Sequence, residues 1–394
     1  MSNSRKVLGA VISIALLIVL FVGACKATDL DDKTDAKKEE VLEAEVSEKE
    51  LSGELTIAYS SAYSGYEIIA QMFMELHPDV HITTHNYADD FDDTTDVVSY
   101  MRKYSEDIEN GTAGDIVDVS NADYVTLAKK GAIIDLNSFM ENDEGFDRAD
   151  YYKSAFLAHE VDGKVYAIPK SLEPVYIKIN KKIIDETGLS GLNDTVSYKS
   201  MLNMFKRAKE DNEDIVLSSY SLAYLINVYD VNFYLENDAY DDEYNAFQED
   251  FYYVVNNTKD VTGAGSMTIN RMNSNEFSRR FEVTPNQDLD ELMNESDTVS
   301  AAYCYTNPEG EKCMDCFESM AVSKSSENKE VAWEFIKFAI SAQDFVMGDE
   351  IMVPVNKAKA ERIYSNLSDE TKERLFSDMD SVSYSGRYLN LVEE

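Results

Sequence analysis

Residues 53–87 read GELTIAYSSAYSGYEIIAQMFMELHPDVHITTHNY, and their periodicities decide the fold. Glu54 to Tyr59 is a short β-rich run bounded by Gly53 and by the SSAYSGY turn. Ile68, Ile69, Met72, Phe73 and Leu76 then recur at helical spacing until Pro78 stops the pattern. VHITTHNY follows at once as a second strand. Strand, helix and strand in so short a stretch form a β-α-β unit, which predicts a parallel sheet covered by helices.

The alternation continues outward. Residues 92–110 read as a polar helix ending at Gly111, followed by the strand DIVDVS at 115–120. DYVTLAKK is a further helix, with Lys129 and Lys130 in its last turn and Gly131 closing it. VDGKVYAIP, from Val161 to Pro169, is a hairpin with Asp162-Gly163 as its turn, and the strand EPVYIKINKKII comes next. Ser197 is placed to cap a helix through YKSMLNMFKRAKE that turns Met201, Leu202 and Phe205 inward. Residues 236–300 are rich in Asp, Asn, Tyr and Glu and only weakly periodic, and predict no element. Beyond them SMAVS is a short strand, and NKEVAWEFIKFAIS is an amphipathic helix presenting Val331, Phe335, Phe338 and Ala339 to a core. A last helix, SDETKERLFSDM, has a capping start at Ser368 and Thr371.

The chain has 394 residues, enough for two domains with cores of their own. Its 75 acidic against 36 basic side chains give a formal charge of −39, which repels phosphate backbones and excludes nucleic acid as a partner. Arg5 and Lys6 precede an uncharged apolar run from Val7 to Ala24, the layout of a signal peptide. The run is also just long enough to span a bilayer core of roughly 30 Å, so an uncleaved anchor helix is the alternative. Cys25 follows Val22-Gly23-Ala24, which resembles the lipobox of bacterial lipoproteins, where the cysteine becomes the lipidated first residue. From Lys26 to Ser52 more than half the residues are charged, as in a solvated tether.

In order and spacing, GELTIAYSS, FMELHPDVHI, GDIVDVSNADYVTLAKKGAIIDL, DGKVYAIP with YIKINKKIIDETGL, NPEGEK and SMAVSKSSENKEVAWEFIKFAIS resemble the family-1 extracellular solute-binding proteins of ABC importers, the maltose-binding-protein-like group. The resemblance covers about 50–370. It implies an α/β, two-lobed periplasmic-binding-protein-like fold of type II with hinge crossovers, and hinge closure around a solute. Residues 1–24 would be the signal peptide and 25–52 the lipidated cysteine and tether. The N-terminal lobe would run over 53–169, the second lobe over 170–320, and helices of 321–394 would pack across the lobes. The implied function is capture of a small solute, a sugar or oligosaccharide, for an ABC permease, by a monomer held by its lipid at the outer face of the cell membrane. It is not an enzyme and needs no cofactor or metal. The family's threonine-tryptophan pair is replaced by Ser197-Tyr198, and the sole tryptophan, Trp333, reads as core. Sugar stacking would therefore fall to tyrosine or phenylalanine.

Ligands of open α/β sheets bind at the carboxyl ends of the strands. That rule selects Tyr63, Ser64 and Tyr66 after the first strand, and Asn121 and Asp123 after DIVDVS. Lys170, Ser171 and Glu173 adjoin the hinge after Pro169, and Tyr303 lies near the chain's return toward the cleft. Each reads equally as a solvated turn residue or a hinge support. Cys304, Cys313 and Cys316 are spaced C-x8-C-x2-C without a fourth ligand nearby, so one disulfide outside the membrane, from Cys304 to Cys313 or Cys316, is expected rather than zinc. His81 and His85 share a strand face and read as exposed polar groups, not metal ligands. Phosphate loops, G-x-S-x-G and H-E-x-x-H are absent from the sequence. The acidic turns leave open a cationic solute such as a polyamine. A surface hydrolase and a structural envelope lipoprotein are the readings from other classes.

Overall fold

A computed structural model describes residues 50–60, 64–90, 97–180, 195–211, 217–218, 230, 245–250, 253, 258–259, 300–341, 352–381 and 383–385. The expected signal peptide, Cys25, the tether and Tyr63 lie outside the described residues.

Strand β1 (Gly53–Tyr59), helix α1 (Tyr66–Leu76) and strand β2 (Val80–Asn86) form the predicted unit, with β1 and β2 parallel from Gly53 opposite Val80 to Tyr59 opposite Asn86. The buried face of α1 is Tyr66, Ile69, Ala70 and Phe73, a turn nearer the helix start than the run from Ile68 to Leu76 suggested. The rotation follows from what covers it. Phe73 meets Phe335 and Phe338, each with ring centroids 5.4 Å away, on a helix that only the tertiary fold brings there.

Helix α2 (Val97–Asn110) leads into β3 (Ile116–Asp118), which lies parallel to β1 on the side away from β2. The approach is close at Gly114, where a Cβ would stand 2.8 Å from the Thr56 carbonyl oxygen, so only glycine fits. Helices α3 (Tyr124–Lys129), α4 (Asn137–Asn142) and α5 (Ser154–Leu157) follow. Strands β4 (Glu160–Val161) and β5 (Lys164–Val165) then make the expected hairpin, with Asp162 and Gly163 at φ 53° and 75°, the two left-handed residues of a tight primed turn.

The chain next runs from β6 (Ala167–Ile168) through Pro169-Lys170 to β7 (Ser171–Pro174) and on to β8 (Tyr176–Asn180). Strand β9 (Thr195–Ser197) precedes helix α6 (Tyr198–Asp211), where Ser197 Oγ accepts from the Ser200 N–H at 3.3 Å as the cap reading required. Short strands β10 (Leu217–Ser218) and β11 (Thr258–Lys259) pair with each other. They are followed by β12 (Ser300–Thr306), β13 (Lys312–Phe317) and β14 (Met320–Val322). Helix α7 (Lys329–Ser341), β15 (Val353–Pro354), α8 (Lys357–Ile363), α9 (Asp369–Asp380) and β16 (Ser383–Ser385) complete the described elements.

Two main sheets result. The first has the order β2-β1-β3-β14-β6, and the second β15-β7-β13-β12-β8 with β9 and β16 attached. Helices cover both faces of the first, as an open α/β sheet requires. Ile57 and Ile116 belong to one core with Phe73, Trp333 and Phe335, while Ala58 and Val117 belong to another with Tyr104, Leu127 and Ile133. The first of these cores continues into the second sheet through Leu172, Tyr176 and Met314, and on to Leu375 and Met379 of α9.

Candidate functional site

Two of the connections between the sheets are only two residues long, Pro169-Lys170 between β6 and β7 and Glu318-Ser319 between β13 and β14. They lie side by side. The Lys170 N–H donates to the carbonyls of Phe317 at 3.0 Å and Glu318 at 3.3 Å, and the Val355 N–H, just past β15, donates to the Lys170 carbonyl at 3.1 Å. Three chain segments thus meet at one seam, beside the carboxyl ends of β1 and β3.

Glu318 dominates that seam. Its backbone is left-handed, at φ 51°, a conformation rare for a side chain of this kind and common at functional turns. One carboxylate oxygen accepts the Gly65 N–H at the start of α1, and the other is paired with the Lys170 ammonium. Both side chains of that ion pair are 13% exposed, so the pair is largely withdrawn from water.

Asp118 ends β3 and is buried. Burial pushes its pKa up to about 6; donation from the Ser120 N–H at 2.8 Å opposes the shift, and the charge of Glu318 adds to it. The Tyr66 hydroxyl is fully buried against the Asp118 carboxylate, its hydrogen-bond partner, and also feels the charge of Glu318. Ser319 Oγ is buried and unpartnered, although the Ser319 N–H donates to Ser120 Oγ at 2.9 Å and its carbonyl accepts from the Val119 N–H at 2.8 Å. A buried hydroxyl without a partner, close to two carboxylates and a tyrosine, is a group that a bound polar molecule would satisfy. Nearby, the Tyr59 hydroxyl donates to Glu67, which together with its burial raises the Tyr59 pKa strongly.

The structure brings Ser64, Tyr66, Lys170 and Ser171 to this seam. Asn121 is half-buried in the turn after β3. Asp123 Oδ1 accepts the Thr126 N–H at 3.0 Å and caps α3. Glu173 is buried within the second sheet opposite Asp315. Tyr303 lies opposite Ile177, six residues along the strand from Ser171, or about 20 Å at ~3.3 Å per residue. It is therefore not part of the seam. Sequence reasoning missed Asp118, Glu318 and Ser319. The position of Asp118 at the end of a parallel strand was a usable signal, whereas Glu318 reads as an ordinary residue between two strands.

The expected disulfide is not formed, and Cys304, Cys313 and Cys316 are free thiols. The register explains why. Strands β12 and β13 pair with one continuous chain, Cys304 opposite Tyr176 and Cys316 opposite Leu172, and the stretch between them loops out at Val175. Val175 donates to the Cys313 carbonyl at 3.0 Å and accepts from Tyr305 at 2.7 Å. Cys304 and Cys313 therefore occupy opposite faces, as do Cys313 and Cys316. Cys304 and Cys316 share a face but stand four residues apart, about 13 Å, against the 4.4–6.8 Å or so that a disulfide spans between Cα atoms. Burial raises all three thiol pKa values; Cys304 and Cys313 are core groups, and Cys316 is half-buried against the core. Trp333 is core, as read from the sequence, with its indole N–H donating to Asp143 at 2.8 Å.

Residues 69–362 match the family model described as bacterial extracellular solute-binding protein. No curated protein matches the chain. Among solved structures it is similar to the ABC substrate-binding protein Lmo0181 from Listeria monocytogenes in complex with cycloalternan, at 18% identity and a TM-score of 0.50, covering 86% of this chain and 89% of that one. It is similar also to a protein studied for xylan utilization by the thermophilic bacterium Caldanaerobius polysaccharolyticus, at 15% identity and a TM-score of 0.50, covering 86% and 92%. At these identities the likeness concerns the fold, two α/β lobes of the type II solute-binding arrangement.

Proposed function

The chain belongs to the bacterial extracellular solute-binding proteins, and from that premise we propose that it captures a sugar or oligosaccharide in the cleft between its lobes and delivers it to an ABC permease. The observation that carries the reading is the seam. Two short crossovers lie beside the buried Tyr66 hydroxyl and the Asp118 carboxylate it faces, and one of them carries the buried, unpartnered hydroxyl of Ser319. Short paired crossovers are hinges, in which a few backbone rotations move one lobe against the other. A solute that touches both lobes only when they close stabilises the closed form by that differential contact. A hydroxyl-rich neutral molecule suits the site, since each hydroxyl both donates to a carboxylate and accepts from a tyrosine or serine. The cycloalternan-bound Listeria structure has the same fold.

The excess of carboxylates over the single Lys170 at the seam favours a second reading, a cationic solute such as a polyamine. Thermal-shift measurement of the purified protein against sugars, polyamines and amino acids separates the two. A saturating ligand at about 100 times its Kd adds about 2.7 kcal/mol of stability. The gain should persist in 0.5 M salt for a neutral sugar and shrink for a polyamine. Absence of any shift, with no compaction by small-angle scattering, would overturn the transport reading.

The receptor is held at the outer face of the membrane through lipid on Cys25, and the segment to Ser52 acts as its tether. Among the described residues no helix is long and apolar enough to cross a membrane. Cys25→Ser is expected to abolish incorporation of labelled palmitate and leave the precursor unprocessed. Normal processing without lipid would sink the anchor assignment.

A further inference from the structure

Helix α1 starts at the cleft with no side-chain cap of its own, and its eleven residues give it a full N-terminal dipole. Such an end, beside a lysine, is a ready site for a phosphate, sulfate or carboxylate. Here the site is already filled. Glu318, from the crossover, gives one oxygen to the Gly65 N–H and the other to Lys170. The buried Tyr66 hydroxyl faces the Asp118 carboxylate and senses the same Glu318 carboxylate.

We propose that Glu318 is a built-in occupant of this anion site and so a specificity determinant: by satisfying α1 and Lys170 from within, it closes the cleft to anionic solutes and selects uncharged or cationic ones. This rests on the solute-binding reading and narrows it. The geometry favours permanent occupation over accident. Glu318 keeps a left-handed backbone, at φ 51°, and its carboxylate engages two partners from different chain segments with little exposure to water. A solute carboxylate or sulfate entering here would meet Glu318 and Asp118, while Lys170, the cation at this seam among the described residues, is already neutralised.

The test compares the wild type with Glu318→Gly, which removes the occupant and suits the left-handed backbone, and with Glu318→Gln, which keeps the shape and an acceptor for the Gly65 N–H. The probes are inorganic sulfate, galacturonate and galactose, titrated at constant ionic strength and read by calorimetry and melting temperature. Both variants should bind sulfate and galacturonate on the order of tenfold more tightly than the wild type, as a charge placed at a helix N-terminus warrants. Adding Lys170→Ala should cancel the gain. Wild-type protein that binds galacturonate as well as galactose would overturn the assignment, and so would folded variants with no gain for sulfate. Sulfate binding requires no knowledge of the solute. A gain in the variants therefore upholds the role of Glu318 even where every sugar fails, and that failure then counts only against the sugar reading.

Discussion

Asp118→Asn is expected to raise the unfolding free energy at pH 7 by about 3 kcal/mol, and to leave it nearly unchanged at pH 3. Asp118 is buried at the end of β3, with its pKa pushed up to about 6 chiefly by desolvation. In the unfolded chain the same carboxyl ionises near pH 3.9. Below that value it is protonated in both states and the difference vanishes. Between about pH 4 and 6 the unfolded chain releases its proton while the folded protein retains one, so stability falls as pH rises, and above pH 6 the penalty is complete. Asparagine imitates the neutral acid and keeps an oxygen to accept the Ser120 N–H, now held at 2.8 Å. Urea unfolding at half-unit pH steps checks this. A gain independent of pH would show that ionisation is not its cause. A carboxylate that costs stability at the carboxyl end of a parallel strand is the pattern expected where a bound solute uses the group.

Asp378→Ala is expected to remove about 3 kcal/mol or more of stability at pH 7. Asp378 projects from α9 into the second sheet, 5% exposed. One oxygen is paired with the Lys312 ammonium on β13, and the other accepts the Tyr176 hydroxyl of β8 at 2.7 Å. Removing the acid leaves a half-buried ammonium and a buried hydroxyl without it, and a stranded polar group costs more than the pair had contributed. Lys312→Met in the same background should recover part of the loss, and Tyr176→Phe alone should cost only about 1 kcal/mol. Denaturant midpoints for these variants, with Lys312→Met alone completing the Asp378–Lys312 cycle, measure the coupling. Equal stability of Asp378→Ala and wild type would mean that α9 is held by its apolar contacts, Leu375 and Met379, alone.

The local elements were legible because their determinants are local. The β-rich run LTIAY, helical spacing in YEIIAQMF, the Asp162-Gly163 turn and the caps at Ser197 and Ser368 each act within a few residues, and each appears in the structure. Part of the site was legible for the same reason. The rule that ligands gather at strand carboxyl ends selected Ser64 and Tyr66, which the structure brings beside Glu318 and Asp118, and the proline-lysine step marked a crossover. The same rule selected Asp123, whose Oδ1 caps a helix. The cysteine expectation failed because spacing along the chain carries no information about sheet faces. Cys304 and Cys313 are adjacent at the foot of an outward loop, yet face opposite ways.

By itself the sequence determined the alternation of strands and helices and the parallel opening unit, because hydrophobic period and turn chemistry are properties of short segments; the two-lobed class came from the resemblance of its motifs, in order and spacing, to the solute-binding family. Only the tertiary structure placed β14, some two hundred residues later in the chain, beside β3, and so set the Glu318 carboxylate between Lys170 and the start of α1. Those contacts span 148 and 253 residues. Burial, and the charge that burial makes costly, depend on what lies near in space, which no local pattern encodes.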